Sequence, residues 1–356
     1  MTISHFAVGY LGDRGSRWRD TFITVSVLLS AAAMILTSYS TSFLILAVFQ
    51  LFLGIGASGY HPSVFPALAE KFPQKDLAKA TGIQAMGGLI GMAVIPFLGV
   101  TLLVWLGGWR LSLVALGLIG FIMFIPYIFL MRKSRVGYEE GFIDKEEECE
   151  GADGWTRNYF LGLVLMGLRG MSFRSTSLLM PLYLFATYPV DLIWAGYLTS
   201  IMLTAGFVGE IVASILSDRI NKRVPFLVIS TGLTTPALLM LNYSLSESLL
   251  IIMLIVIGFF HYLGVPPNTA YLTEVSPRES RGLAFGLLFS IGAIPGALSP
   301  IIFGIIGDAY GLPASILFLV VTTTLATIVA LFMRDVKQSN RVGDSQRSPD
   351  PLSALE

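Results

Sequence analysis

The residues best equipped for chemistry in this chain are two arginines and a glutamate set among apolar neighbours. Arg169 and Arg174 stand in "LGLVLMGLRGMSFRSTSLLMPLYLF", and Glu210 stands in "TAGFVGEIVASIL". A cation inside an apolar segment can hold an anion, and a carboxylate there can take up and release a proton. Three readings of Arg169 stay open: contact with an anionic substrate or coupling ion, a permanent pair with Glu210, or snorkelling of its long side chain. Glu210 either exchanges protons or is held ionised by Arg169. His61, beside Pro62, is a packed, hydrogen-bonded residue or a proton carrier. His261 and Asn268 flank Pro266–Pro267, where they line a cavity or satisfy backbone groups around a kink.

Other chemistries find no residues. The single cysteine, Cys149, excludes a disulfide within the chain and a cysteine-built metal site. His5, His61 and His261 lie too far apart for ligand spacing. There is no G-x-x-x-x-G-K-[ST] loop, no paired carboxylates and no nucleophile–base arrangement, so neither an ATPase nor an enzyme is expected, nor a cofactor. The formal net charge of zero gives no footprint for nucleic acid.

The segments that must position these residues are membrane helices. Of the 356 residues, 54% are hydrophobic and 13% charged, and mean hydropathy is +0.74. A soluble domain carries about 25% charged residues, so a bilayer is the better solvent for this chain. A spanning helix needs roughly 20 apolar residues. Ten segments qualify, near Thr21–Ser38, Ser42–Leu68, Ala80–Leu106, Leu111–Met131, Tyr159–Tyr188, Leu192–Leu216, Pro225–Tyr243, Ser248–Leu272, Leu283–Ile306 and Pro313–Met333. Alternate loops, together with the tail from Arg334, hold 20 of the 23 Lys and Arg residues; the opposite loops hold only Arg110. Basic loops stay inside the cell, which places the linker and C-terminus in the cytoplasm.

A shift of 204 residues superimposes Gly54 on Gly258, Pro62 on Pro266, Glu70 on Glu274, Pro73 on Pro277, Gly88 on Gly292 and Pro96 on Pro300. Two bundles of one fold, related by a parallel repeat, are therefore expected. They divide into an N-terminal bundle over 1–131, an acidic cytoplasmic linker over 132–155, a C-terminal bundle over 156–333 and a disordered cytoplasmic tail over 334–356. Moving the start of the second half back by one repeat implies that the first helix and most of the second are missing, leaving residues 1–12 as a stub. A misassigned start and a real truncation both account for this. Gly87-x-x-x-Gly91 and Gly292-x-x-x-Gly296 allow close helix approach and are expected to join the bundles within one chain, a monomer.

"GYLGDRGSRWR" resembles the signature turn between helices two and three of the major facilitator superfamily, matched at Gly9, Asp13, Arg14, Arg17 and Arg19. "SILSDRINKR" is the second copy, with Asp218, Arg219, Lys222 and Arg223. The segment from His61 to Gly99, preceded by a Gly-rich fourth helix that runs into the His61–Pro62 pair, is similar to the fosmidomycin-resistance-like, drug-efflux branch. Two positions depart from the pattern: Gln50 stands where an Arg is common, and Ile95–Pro96 replaces a Gly-Pro pair. The resemblance implies an all-α integral membrane protein of two six-helix bundles, here about ten full transmembrane helices plus a stub. It implies a latch at the Asp-Arg turns, and a cavity lined by the helix that carries Arg169. It further implies a secondary active transporter in the inner or plasma membrane, working by alternating access. The expected cargo is a small organic solute, anionic or drug-like, moved by proton-coupled efflux. A membrane-embedded sensor or binding protein of the same fold, or an inactive truncated fragment, are the alternatives.

Overall fold

The computed structural model describes residues 16–60, 63–64, 68, 74–134, 154–277, 284, 287–288 and 292–335. The stub of residues 1–12, Gly9, Asp13, Arg14 and His61 lie outside the described residues, as do most of the acidic linker and tail. In the first half stand α1 (Ser16–Ser38), α2 (Phe43–Ser58), α3 (Gln74–Leu106) and α4 (Trp109–Ser134). In the second stand α5 (Arg157–Thr187), α6 (Leu192–Ile220), α7 (Val224–Met240), α8 (Glu247–Leu263), α9 (Val265–Val275), α10 (Ala293–Tyr310) and α11 (Leu312–Leu331).

Apolar length makes the helices, and short polar signals end them. Asp191 caps α6 by accepting from the Trp194 amide at 2.6 Å, and Thr156 caps α5 through the Tyr159 amide at 3.2 Å. Asn221, with φ of 53°, stops α6 in the left-handed conformation that asparagine tolerates. Five described stretches are long and apolar enough to cross a bilayer: Asp20–Ser38, Trp109–Phe129, Leu192–Ile220, Glu247–Val275 and Leu312–Leu331. α5 has 31 residues, about 46 Å at 1.5 Å per residue, and also exceeds a bilayer core.

The repeat is realised in three dimensions. α2 begins at Phe43 and α8 at Glu247, 204 residues later; α3 ends at Leu106 and α10 at Tyr310, again 204 apart. Pairings recur as well: α1 packs on α2 and α4 as α7 packs on α8 and α11. On the side opposite the basic loops, Arg110 donates to the Ser40 carbonyl at 3.0 Å and lies over the Trp109 ring.

Several boundaries move. α4 continues through Ser134, taking the first residues assigned to the linker. α6 continues to Ile220, so Asp218 and Arg219 sit on its last turn. The segment from Ser248 is two helices, because Pro266 and Pro267 lack the amides that would continue α8. The tail's first residues are held: the Arg334 carbonyl accepts from Tyr271 Oη at 3.2 Å and from Asn158 Nδ2 at 3.3 Å.

Candidate functional site

Residues four apart on a helix share a face. On α5 this puts Arg169, Phe173 and Ser177 in one row, and the row runs against the end of α8. The Phe173 ring lies 5.3 Å from His261 and 4.7 Å from Tyr262, and Ser177 Oγ is 3.4 Å from Tyr262 Oη. Tyr262 is 4% exposed, its ring seated on Gly206 of α6. Its hydroxyl lies in the fields of both Glu210 and Arg174. Arg174 is exposed and Glu210 half-buried. One exposed cation, one carboxylate and two hydroxyls are therefore gathered from α5, α6 and α8.

Arg169 is placed differently. It is 7% exposed, and its Nη2 donates to the His261 carbonyl at 2.6 Å. The direct pair with Glu210, one of the alternatives raised by the sequence, is not formed: no ion pair within 4 Å joins them, though each lies in the other's field. The physical reason is the break after α8, which offers a backbone carbonyl nearer than the carboxylate. His261 and Asn268 are buried beside this break, at 5% and 8% exposure. Gln50 lies exposed on α2, in the other half, and makes none of these contacts.

The second basic turn forms a closed cluster. Arg223 Nη1 donates to Asp218 Oδ1 at 2.6 Å and to Ser217 Oγ at 3.0 Å, and Nε donates to Glu274 Oε1 at 3.0 Å. Burial alone would lower the Arg223 pKa, but the hydrogen bonds it donates to Asp218 and Glu274, with their charges, outweigh it and hold it above the ordinary value. Arg219 and Lys222 of the same turn are exposed, and in the first copy Arg17 stands in the first turn of α1.

Among the described residues, the glycine pairs do not join the bundles. Gly292 packs on Met166 and Gly296 on the Gly170 backbone, both of α5, so that contact lies within the second half. A Cβ added at Gly87 or Gly91 would meet nothing within 4 Å. The halves meet where α3 crosses α6: Gly196 lies against Val100, and the Phe97 and Tyr197 rings are 5.5 Å apart. Pro96 precedes this contact in α3, and its repeat partner Pro300 lies inside α10. Beside the crossing, a cleft of about 820 Å³ is lined by Val94, Phe97, Tyr197, Thr204, Val208 and Ile255 among others. It is almost wholly apolar. Sequence reasoning missed Tyr262, Ser177 and Gly196, none of which carries charge or recurs in the repeat; the Gly206–Gly209 spacing on α6 was the one available pointer to a close approach.

The family model of the Major Facilitator Superfamily matches residues 1–185 and 162–356. The sialic acid transporter NanX of Escherichia coli is 25% identical, over 92% of this chain and 81% of NanX. The multidrug efflux pump Tap of Mycolicibacterium fortuitum is also 25% identical, over 94% of this chain and 84% of Tap. A bacterial homologue of the human lysosomal transporter Spinster, solved in an inward-facing and unoccupied conformation, shares the fold. Its TM-score is 0.69 at 18% identity, covering 92% of this chain and 87% of that one. Relatives as different as a sialic acid carrier and a drug pump do not single out the fosmidomycin-resistance-like branch.

Proposed function

The chain belongs to the major facilitator superfamily, an integral membrane transporter of organic solutes and not an enzyme, and we propose that it carries a small organic anion coupled to protons. The observation behind this reading is the meeting of Tyr262 with the α5 row, its ring 4.7 Å from Phe173 and its hydroxyl 3.4 Å from Ser177 Oγ, with exposed Arg174 on the same helix and half-buried Glu210 on α6. Arg174 supplies the charge that meets a carboxylate-type substrate. Glu210 carries the coupling proton, and the two hydroxyls orient the solute by hydrogen bonds. Two bundles rock about this face and expose it to each side in turn. The protein acts as a monomer in the plasma membrane, with its basic loops and C-terminus in the cytoplasm. Its relatedness to NanX favours a carboxylate as cargo; its relatedness to Tap favours export.

Purified protein in proteoliposomes tests this. Labelled sialic acid and a panel of small carboxylates should accumulate under a pH gradient, and the gradient direction that drives them distinguishes export from uptake. Arg174→Ala should cut the rate about 10- to 100-fold, the loss expected when a charged hydrogen-bond partner is removed. Glu210→Gln should abolish the response to the gradient while exchange of solute for solute continues. Neutral amide analogues moving as fast as the carboxylates would overturn the reading.

A further inference from the structure

Arg169 is a fully engulfed cation whose nearest partner is a main-chain oxygen. α8 ends at Leu263 and α9 begins at Val265, with Gly264 between them. Because Pro266 and Pro267 bring no amides, the last carbonyls of α8 lose donors that an unbroken helix would supply. Those carbonyls are Tyr262 and Leu263; the guanidinium comes from α5 to the carbonyl just before them, that of His261, in the same last turn. A cation there also meets the negative end of the α8 dipole. Gly264 makes the seat: a Cβ on it would stand 2.9 Å from Arg169 Nη2 and 3.0 Å from Cζ, besides colliding with Ser230 Oγ. The Ser230 hydroxyl can rotate away; the guanidinium cannot yield without leaving His261.

Tyr262 follows His261 directly, and its ring packs against Phe173 of α5 and Gly206 of α6. We propose that Arg169 is a positioning residue: by capping the broken end of α8 it holds Tyr262 in place, and with it the hydroxyl that meets Ser177. Arg169 does not touch the transported solute. This assignment rests on the binding face described above, and it extends that face to a residue buried behind it.

A probe that does not depend on transport separates the two. With Cys149→Ser removing the native thiol, Ser177→Cys places a reporter beside the Tyr262 hydroxyl. Maleimide labelling of that thiol should accelerate about tenfold in Arg169→Lys, which keeps the charge and loses the fork, and equally in Gly264→Ala, which keeps the arginine and crowds its seat; tenfold matches the loss of one hydrogen bond to a charged group. Unchanged labelling in both variants, in protein that elutes as a single folded species, overturns the assignment whether or not the solute is transported. In the transport assay, with Ser177 intact, both variants should raise KM for a transported carboxylate about tenfold while Vmax stays near that of the parent. A fall in Vmax with KM unchanged would overturn it too.

Discussion

The two halves share one repeated pattern and are built differently. The second closes around two large buried clusters, one about Leu198, Met202, Leu254 and Ile257, the other about Tyr159, Leu165, Tyr271 and Ala326, and a small one of Ala213, Phe226 and Leu263. In the first half, the corresponding cluster among the described residues is Ile23 and Val64, with Tyr60, Leu68 and Tyr127 against it. Phe43, Leu51, Trp105 and Phe129 of that half are exposed. In a bilayer such side chains meet acyl chains, so no hydrophobic force drives helix against helix; close backbone approach and polar contacts must do it. The second half has both. Gly258 abuts the Met202 carbonyl and Gly209 the Phe259 carbonyl, while Arg223 ties α6 to α9.

That polar tie gives the largest break in the comparison. Arg223→Ala removes both ion pairs and leaves Glu274, 14% exposed at its side chain, without this cation. Breaking a buried pair from one side costs about 3–5 kcal/mol, and the lower end applies because Asp218 is largely exposed. Arg219→Ala and Lys222→Ala, in the same basic turn, should stay within about 0.5 kcal/mol of the parent. Thermal unfolding in detergent reads all three. Equal effects would mean that the turn sets topology by charge alone.

A smaller effect sharpens the difference between the two G-x-x-x-G copies. Gly296→Leu drives a side chain into the Gly170 backbone, which lies 3.0 Å from the position of its Cβ. Overpacking of this kind costs about 1–3 kcal/mol. Gly91→Leu enters open space and should cost less than about 0.5 kcal/mol. The same melting assay decides, and a loss at Gly91 matching that at Gly296 would show that the first copy also has a close partner.

These contrasts show what the sequence could and could not convey. Apolar length and the 204-residue shift located the helices and their repeat, down to the starts of α2 and α8. Partners were another matter. Lipid is as apolar as a helix interface, so hydropathy places a residue in the membrane without saying which neighbour it faces. The spacing of Gly292 and Gly296 announced a close approach but not that Gly170 would supply it. Arg169 drew notice as a charge in an apolar run, yet its partner is the His261 carbonyl, and a backbone oxygen has no side-chain signature. Tyr262 and Ser177 became visible as part of the site only when the end of α8 was brought against α5.

The smallest effect is expected where the second half meets its tail. Asp335 Oδ1 accepts from the Arg223 amide at 2.7 Å and from the Val224 amide at 2.8 Å, at the start of α7. Arg223 has no cap of its own there, and Pro225 in the first turn has no amide to offer. A carboxylate satisfies two orphan donors and complements the positive end of the helix. Asp335→Ala should therefore cost about 1 kcal/mol, while Asp335→Asn, which keeps an accepting oxygen, should cost a few tenths. The side chain of Arg223 should feel the loss, since the amide fixed by Asp335 anchors the guanidinium that reaches Asp218 and Glu274. Combining Asp335→Ala with Arg223→Ala tests that link: the double variant should be less destabilised than the sum of the singles, as residues in one network are. A stop codon after Asp335 should leave the melting temperature of the parent, and one after Arg334 should lower it as far as Asp335→Ala does. If both truncations melt like the parent, the cap contributes nothing and the second half closes without its tail.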